Sequence, residues 1–425
     1  MMNIIQFPEK TNWGNIIKRP VADSNDLNDK VAAVLNGVKQ GGDNAISQYT
    51  LQFDGVSLQG FQVTEAEILN AQTQIDADLK VAIETAAENI RNFHLTQVSQ
   101  ALPIETMPGI FCWRKSVGID KVGLYIPGGS APLFSTILML GIPAQIAGCK
   151  QVILCSPPNK NGDLHPAIIY AATLVGIKQL FKIGGVQAIA AMAYGTETVP
   201  SVYKIFGPGN QYVTAAKQMV QLNGIAIDMP AGPSEVCVLA DDSAVPDYVA
   251  ADLLSQAEHG ADSQVLLVST SKQLIDAVNQ SLVSQLALLP RKELALQALQ
   301  NSRAVLMSSL SDAVELVNDY AAEHLIIACQ NANEIAEQIS NAGSVFIGNY
   351  SPESVGDYAS GTNHTLPTNA YARMYSGVSV DSFVKKITFQ QLTKEGLTAI
   401  AKTVETMAEA EGLQAHAEAV RVRLK

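Results

Sequence analysis

The sequence predicts an α/β protein with two Rossmann-like parallel-sheet modules, one inserted in the other, a helical N-terminal region and a small C-terminal helical extension. Three observations predict it. From residue 121 short apolar runs alternate with amphipathic stretches, the rhythm of βα units. Before that point, and again at the end of the chain, apolar residues recur at three- and four-residue intervals, the period of helices. Hydrophobic residues make up 47% of the 425 and charged residues 16%, enough apolar material to bury more than one core.

In chain order, residues 1–21 read as an arm, and helices are predicted over 26–40, 43–53 and a long stretch 65–97. The runs VGLYIP (122–127), VILCSP (152–157), LFKIGG (180–185), KIFGPG (204–209) and IAIDMP (225–230) read as strands of one parallel sheet. Helices are predicted between them, from Pro132, Pro166, Val186 and Gln211. A second series follows: EVCVLAD (235–241), QVLLVST (264–270), RAVLMSS (303–309), HLIIACQ (324–330) and GSVFIGN (343–349). After Gly361 the chain is turn-rich, then closes with a helical pattern over about 390–423, too short and polar-faced to hold a core of its own. The predicted division is 22–121 with 235–376 as the first domain, 122–234 inserted as the second, and 377–425 as a tail that docks elsewhere, on another subunit for example.

The formal charge of −12 and the lack of any lysine or arginine run argue against nucleic acid as a partner. The first residues hold no apolar stretch of signal-peptide or membrane-spanning length, so a cytoplasmic protein without a membrane partner is expected. The cysteines at 112, 149, 155, 237 and 329 form no CxxC pair and several lie in apolar runs, which reads as buried free thiols.

Candidate chemistry lies in five places. Pro127-Gly128-Gly129-Ser130 and Gly207-Pro208-Gly209-Asn210 stand where strands hand over to helices, so backbone N–H groups can meet an anion such as a pyrophosphate. Neither turn fits G-x-G-x-x-G, and tight βα turns are the alternative. Gln256 and His259 are spaced three apart in a helix expected to end at Gly260; a histidine there also serves a helix terminus. Glu323-His324 precedes an apolar run and suggests acid–base work, although neighbours on an extended chain point apart unless the backbone turns. Asp357 and His364 lie on a polar, glycine-bearing segment read as a loop, and a surface Asx turn is its plainer reading. Glu411 and His416 are five apart, which is not a helical pair unless the helix breaks at Gly412.

Taken together, GLYIPGGSAPLFST (123–136), GGVQAIAAMAYGTE (184–197), KIFGPGNQYVT (204–214), IDMPAGPSEV (227–236), DLLSQAEHG (252–260), EHLII (323–327) and SPESVGDYASGTNHTLPT (351–368) resemble the histidinol dehydrogenase family over essentially the whole chain. The resemblance implies a zinc site of Gln256, His259, Asp357 and His416, the last given by the other subunit of a homodimer through an exchanged C-terminal segment. It implies a proton-transfer pair, Glu323 and His324. Substrate contacts are implied at Ser234, Gln256, His259, His324, Asp357, His364, Glu411 and His416, and NAD contacts at Tyr125, Gln187 and Asn210. The reaction it implies is the oxidation of L-histidinol to L-histidine through the aldehyde, in histidine biosynthesis. Four of the six histidines fall on these positions, leaving His94 and His165 as ordinary residues. Ala322 stands where many relatives have proline, which removes a backbone constraint beside the Glu-His pair. A related dehydrogenase for another small polar alcohol and an inactive metal-binding scaffold are the competing readings.

Overall fold

Five of the predicted apolar runs form one parallel sheet in the order Gln179–Lys182, Gln151–Ser156, Lys121–Tyr125, Lys204–Phe206 and Ala226–Ile227. The computed structural model describes residues 2–19, 25–98, 101–128, 132–230 and 232–425, so Gly129 and Ser130 of the first predicted turn lie outside the described residues. Helices Phe134–Ile146, Pro166–Leu174, Gly185–Tyr194 and Gln211–Gln221 follow the strands, each beginning within two residues of its predicted start. The strand order reverses at Lys121–Tyr125, which opens a crevice beyond the carboxyl ends of that strand and of Lys204–Phe206.

The other five runs form a second parallel sheet, ordered Arg303–Leu306, Gln264–Ser269, Glu235–Ala240, His324–Ala328 and Ser344–Ile347. Glu235–Ala240, Gln264–Ser269 and His324–Ala328 are buried throughout, as their nearly unbroken apolar sequence requires of strands covered on both faces. Asn3–Gln6 adds a sixth strand beside Arg303–Leu306, within residues 1–21 that the sequence reading gives only as an arm. Four residues are too few for periodicity to mark them as a strand; the open sheet edge decides it.

The N-terminal helices differ from expectation in division and in location. The two predicted segments 26–40 and 43–53 lie within Asn25–Asp54, which is broken between them, as expected, by a kink at Gly42 (φ 52°, ψ −136°). The long predicted stretch is two helices, Glu65–Gln74 and Ala77–Leu95, because Asp76 caps the second by accepting from Asp78 N at 2.8 Å. The sequence reading places these helices with residues 235–376. Their apolar faces pack instead on the inserted module, Val34, Val38 and Ile46 sharing a core with Phe181 and Ile189, and Ile83 and Ile90 with Ile137 and Leu138.

A third sheet, antiparallel, joins Ile104–Met107, Ile110–Gly118 and Val384–Leu392. Sequence alone assigns these stretches to helical and turn-rich regions; Ile104–Met107 and Ile110–Gly118 form a local hairpin, but the third strand pairs with residues more than 250 positions away, Val384 opposite Gly118 and Leu392 opposite Ile110. The tail then forms Lys394–Ala410 and Gln414–Arg421, with the chain turning at Gly412. Among the described residues no helix is long and apolar enough to cross a membrane.

Candidate active site

Six of the predicted site residues, Ser234, Gln256, Glu323, His324, Asp357 and His364, gather between the two parallel sheets, at the amino ends of Glu235–Ala240 and His324–Ala328 and facing the turn after Lys204–Phe206. Helix Leu310–Tyr320 ends on Ala321 in the left-handed region, φ 52° and ψ 59°, before the strand starts at His324. That turn answers the objection to an adjacent acid–base pair: Glu323 Oε2 and His324 Nδ1 come within 3.6 Å of each other. Both side chains are buried. Glu323 accepts from the backbone N–H of Glu235 at 2.9 Å, and His324 faces the carbonyl of the same residue at 3.2 Å.

Burial pushes the Glu323 carboxyl well above its usual range, partly offset by the charge of His324. For His324, burial works against the proton, but the Glu323 charge and the hydrogen bond to Asp357 outweigh it and raise the imidazole. Its Nε2 lies 3.2 Å from Asp357 Oδ1.

Gln256 ends helix Pro246–Ala257, which stops three residues short of the predicted Gly260. His259 is therefore not on the helix face beside Gln256 but in the turn beyond it, exposed in the single chain. Burial lowers its basicity and the charge of Asp357 opposes this, while His324 and His364 are near enough to lower it further. Asp357 lies on a short helix, Glu353–Tyr358, in place of the predicted loop. Burial would raise its carboxyl; His324, His364 and His259 together hold it below the ordinary value. His364 donates from Nδ1 to the Asp357 carbonyl at 2.8 Å, so its Nε2 accepts from the Thr136 hydroxyl at 3.0 Å.

Ser234, Glu323 and His364 line a small cavity of about 60 Å³, closed on its far side by Gly207, Pro208, Gly209 and Lys217. A much larger cleft, about 1250 Å³, opens on the crevice of the five-stranded sheet, and Tyr125, Gln187 and Asn210 all line it. Tyr125 accepts from Gly185 N at 3.1 Å, Gln187 donates to Asp54 Oδ2 at 3.3 Å, and Asn210 caps helix Gln211–Gln221 by accepting from Tyr212 N and Val213 N. Gly207 has φ +127°, and a Cβ there would stand 2.0 Å from the Tyr125 carbonyl oxygen, so this turn needs glycine. Glu411 and His416 are exposed and make no side-chain hydrogen bond or ion pair with any of these residues in the single chain.

Whether a cation fits is tested by Gln256. Its amide nitrogen is committed inward, to His324 Nδ1 at 3.0 Å, Glu323 Oε2 at 3.3 Å and the Glu235 carbonyl at 3.4 Å. Its buried Oε1 has no hydrogen-bond partner. An orphaned amide oxygen with a carboxylate and an imidazole near by is a donor set of the kind a borderline divalent cation takes. Among the described residues no three His, Cys, Asp or Glu side chains of one chain gather around such a point.

Three supporting residues escape sequence reasoning. Glu235 holds both members of the acid–base pair through its backbone and takes a bidentate ion pair from Arg19, at 2.7 and 2.8 Å, tying the N-terminal arm to the site. Asn363 donates to the Met139 carbonyl at 2.6 Å and meets His94 Nε2 at 3.4 Å, so His94, read as ordinary, anchors the residue next to His364. Buried Glu353 accepts from the Ser255 hydroxyl at 2.5 Å. Arg19, Asn363 and Glu353 reach partners between 98 and 269 residues away, a separation no local pattern encodes.

A family model described as histidinol dehydrogenase matches residues 17–424. A histidinol dehydrogenase of Bacteroides thetaiotaomicron is 57% identical over 424 residues, 100% of this chain and 99% of its own length. One from Colwellia psychrerythraea is 49% identical over 421 residues, 98% of this chain and 96% of its own. The crystal structure of histidinol dehydrogenase from Elizabethkingia anophelis superposes with a TM-score of 0.98 at 54% identity, covering 100% of this chain and 98% of that one.

Proposed function

Because the chain belongs to the histidinol dehydrogenase family, we propose that it oxidises L-histidinol to L-histidine through L-histidinaldehyde, passing two hydrides in turn to NAD, with zinc at each active site. The observation that carries the proposal is the buried amide of Gln256. It braces the Glu323–His324 pair with its nitrogen and leaves its buried oxygen without a hydrogen-bond partner. A homodimer in which the partner chain supplies His416 and Glu411 accounts for two exposed residues on a tail that has no core. The histidine pathway of a cytoplasmic cell interior is the setting that follows.

Gln256, His259, Asp357 and His416 would hold the zinc, which when bound orients the amine and imidazole nitrogens of the substrate. Tyr125, Gln187 and Asn210, which line the large cleft, would hold the dinucleotide, which when bound accepts the hydride. His324 takes the alcohol proton on its imidazole as hydride leaves the carbon. In the free chain the charge of Glu323 and the hydrogen bond to Asp357 raise the basicity of that ring; with a cation held at Asp357, that carboxylate's share would be offset and the ring brought back toward the basicity a proton acceptor needs. In the second oxidation Glu323 removes a proton from the water that adds to the aldehyde. His364 and Ser234 line the pocket where the polar ends of the substrate are held, and its small size keeps the aldehyde from escaping.

The assay is initial-rate NADH formation from L-histidinol with NAD. Two NADH per histidinol are expected, abolished by a chelator and restored by zinc. Turnover of another amino alcohol but not of L-histidinol would instead support a relative of different specificity, and no NADH from any alcohol would leave only a binding scaffold.

A further inference from the structure

Among the described residues Lys217 is the only lysine or arginine that lines the small cavity, and it is 3% exposed. A buried ammonium must place three N–H donors. One goes to Asp228 Oδ1 at 2.5 Å and one to the Gly207 carbonyl at 2.7 Å. No other protein acceptor takes the third among the described residues. Asp228 takes two further donors: its Oδ1 also accepts from Met229 N at 2.7 Å and its Oδ2 from Gly207 N at 2.8 Å. Asp228 and Lys217 thus hold the turn after Lys204–Phe206 together, one through the Gly207 N–H and the other through its carbonyl, which uses two of the three ammonium donors. Lys217 also lines the cavity shared with Ser234, Glu323 and His364, which leaves its third donor for a group bound there.

We infer that Lys217 is a catalytic residue of the second oxidation, donating to the oxyanion of the aldehyde hydrate and then to the product carboxylate. The inference rests on the proposed conversion of an alcohol to an acid. Water forms a C–O bond to the aldehyde carbon while its proton passes to Glu323, and the carbonyl π pair moves onto oxygen. That alkoxide is the group Lys217 meets. The C–H bond then breaks with its electron pair leaving as hydride to the nicotinamide dinucleotide, which is reduced, and the alkoxide pair re-forms C=O. The acid loses its proton to solvent and leaves as a carboxylate, while Glu323 returns its own proton to solvent. Only this half of the reaction ends in an anion, so the ammonium favours it over the alcohol step.

The test compares Lys217→Met with the wild type in two separate assays, NADH formed from L-histidinaldehyde and NADH formed from the first turnover of L-histidinol. Removing the ammonium strands Asp228, so the isosteric pair Lys217→Met/Asp228→Asn is measured beside it, both checked for native circular dichroism. Aldehyde oxidation should fall by about 10²-fold, the usual loss of an oxyanion donor, and the ratio of aldehyde to alcohol rates should fall at least about tenfold. By calorimetry the affinity for L-histidine should weaken about tenfold relative to that for L-histidinol. Equal losses in both half-reactions, or an unchanged preference between the two ligands, would overturn the assignment of Lys217. A wild-type protein that makes no NADH from L-histidinol overturns the activity itself and this inference with it, which separates the two failures.

Discussion

His324 Nε2 stands 3.2 Å from Asp357 Oδ1, joining the first residue of an interior strand to a short helix 33 residues further on. The contact places an expected proton acceptor and an expected zinc ligand in one hydrogen-bonded unit, with Gln256 on the other ring nitrogen of His324. His324→Asn should lower kcat on L-histidinol by roughly 10²–10⁴-fold, the usual share of a general base. Stopped-flow measurement of the first NADH decides it, and a rate equal to wild type would remove the imidazole from proton transfer.

His259 lies at the rim of the site while His416 is exposed on the tail of the same chain. If each site takes His416 from its partner, His259→Ala and His416→Ala proteins should each be inactive. Mixed after dissociation and reassociation, they should recover about a quarter of wild-type activity, since half the dimers then carry one intact site. Absence of any recovery, with mixed dimers demonstrated by mass spectrometry, would place the ligands within one chain.

The Gly207 turn and Tyr125 touch through backbone and side chain at the mouth of the large cleft. Gly207→Ala should cost roughly 2 kcal/mol or more, from a side chain in the left-handed half of φ space and a clash with the Tyr125 carbonyl. Urea unfolding measures it. Tyr125→Phe should leave the Gly185 N–H without its partner and raise KM for NAD about tenfold with less effect on KM for L-histidinol. A KM for NAD that does not move would detach Tyr125 from the cofactor.

Buried His94 holds its proton on Nδ1 against the Ile90 carbonyl at 2.8 Å and accepts on Nε2 from Asn363. Burial lowers its pKa, opposed by that backbone hydrogen bond. The unfolded chain therefore binds the imidazole proton more readily than the folded one, and stability rises with pH through this range. The contribution is whole above the unfolded value near 6.5 and drains away as pH falls below it toward the folded value. Urea midpoints between pH 7.5 and pH 5 should fall more steeply for wild type than for His94→Gln. Parallel slopes would show that His94 does not titrate on unfolding.

Much of the framework is readable in one dimension. The ten apolar runs from residue 121 onward become the strands of the two parallel sheets, because a strand buried on both faces needs an unbroken apolar sequence and a turn at each end. The short edge strand Asn3–Gln6 and the antiparallel sheet formed with Val384–Leu392 are not readable, since their hydrogen-bond partners are distant in sequence. Helices 25–95 show the same limit: periodicity gives their apolar faces but not the module those faces cover.

For the site, the sequence by itself determined which side chains could do chemistry: Glu323, His324, Gln256, Asp357 and His364 are residues whose protons and lone pairs suit acid–base work and ligation. Only the tertiary structure decided that they meet, because the chain bends at Glu323, between the left-handed end of helix Leu310–Tyr320 and the strand that starts at His324, and the two side chains come within 3.6 Å. It depends also on two sheets arranged with the amino ends of one facing the carboxyl ends of the other. Lys217 marks the difference most plainly. In sequence it is one lysine on an amphipathic helix, and its burial beside Asp228 comes from packing across the module, where an ammonium out of water must find acceptors.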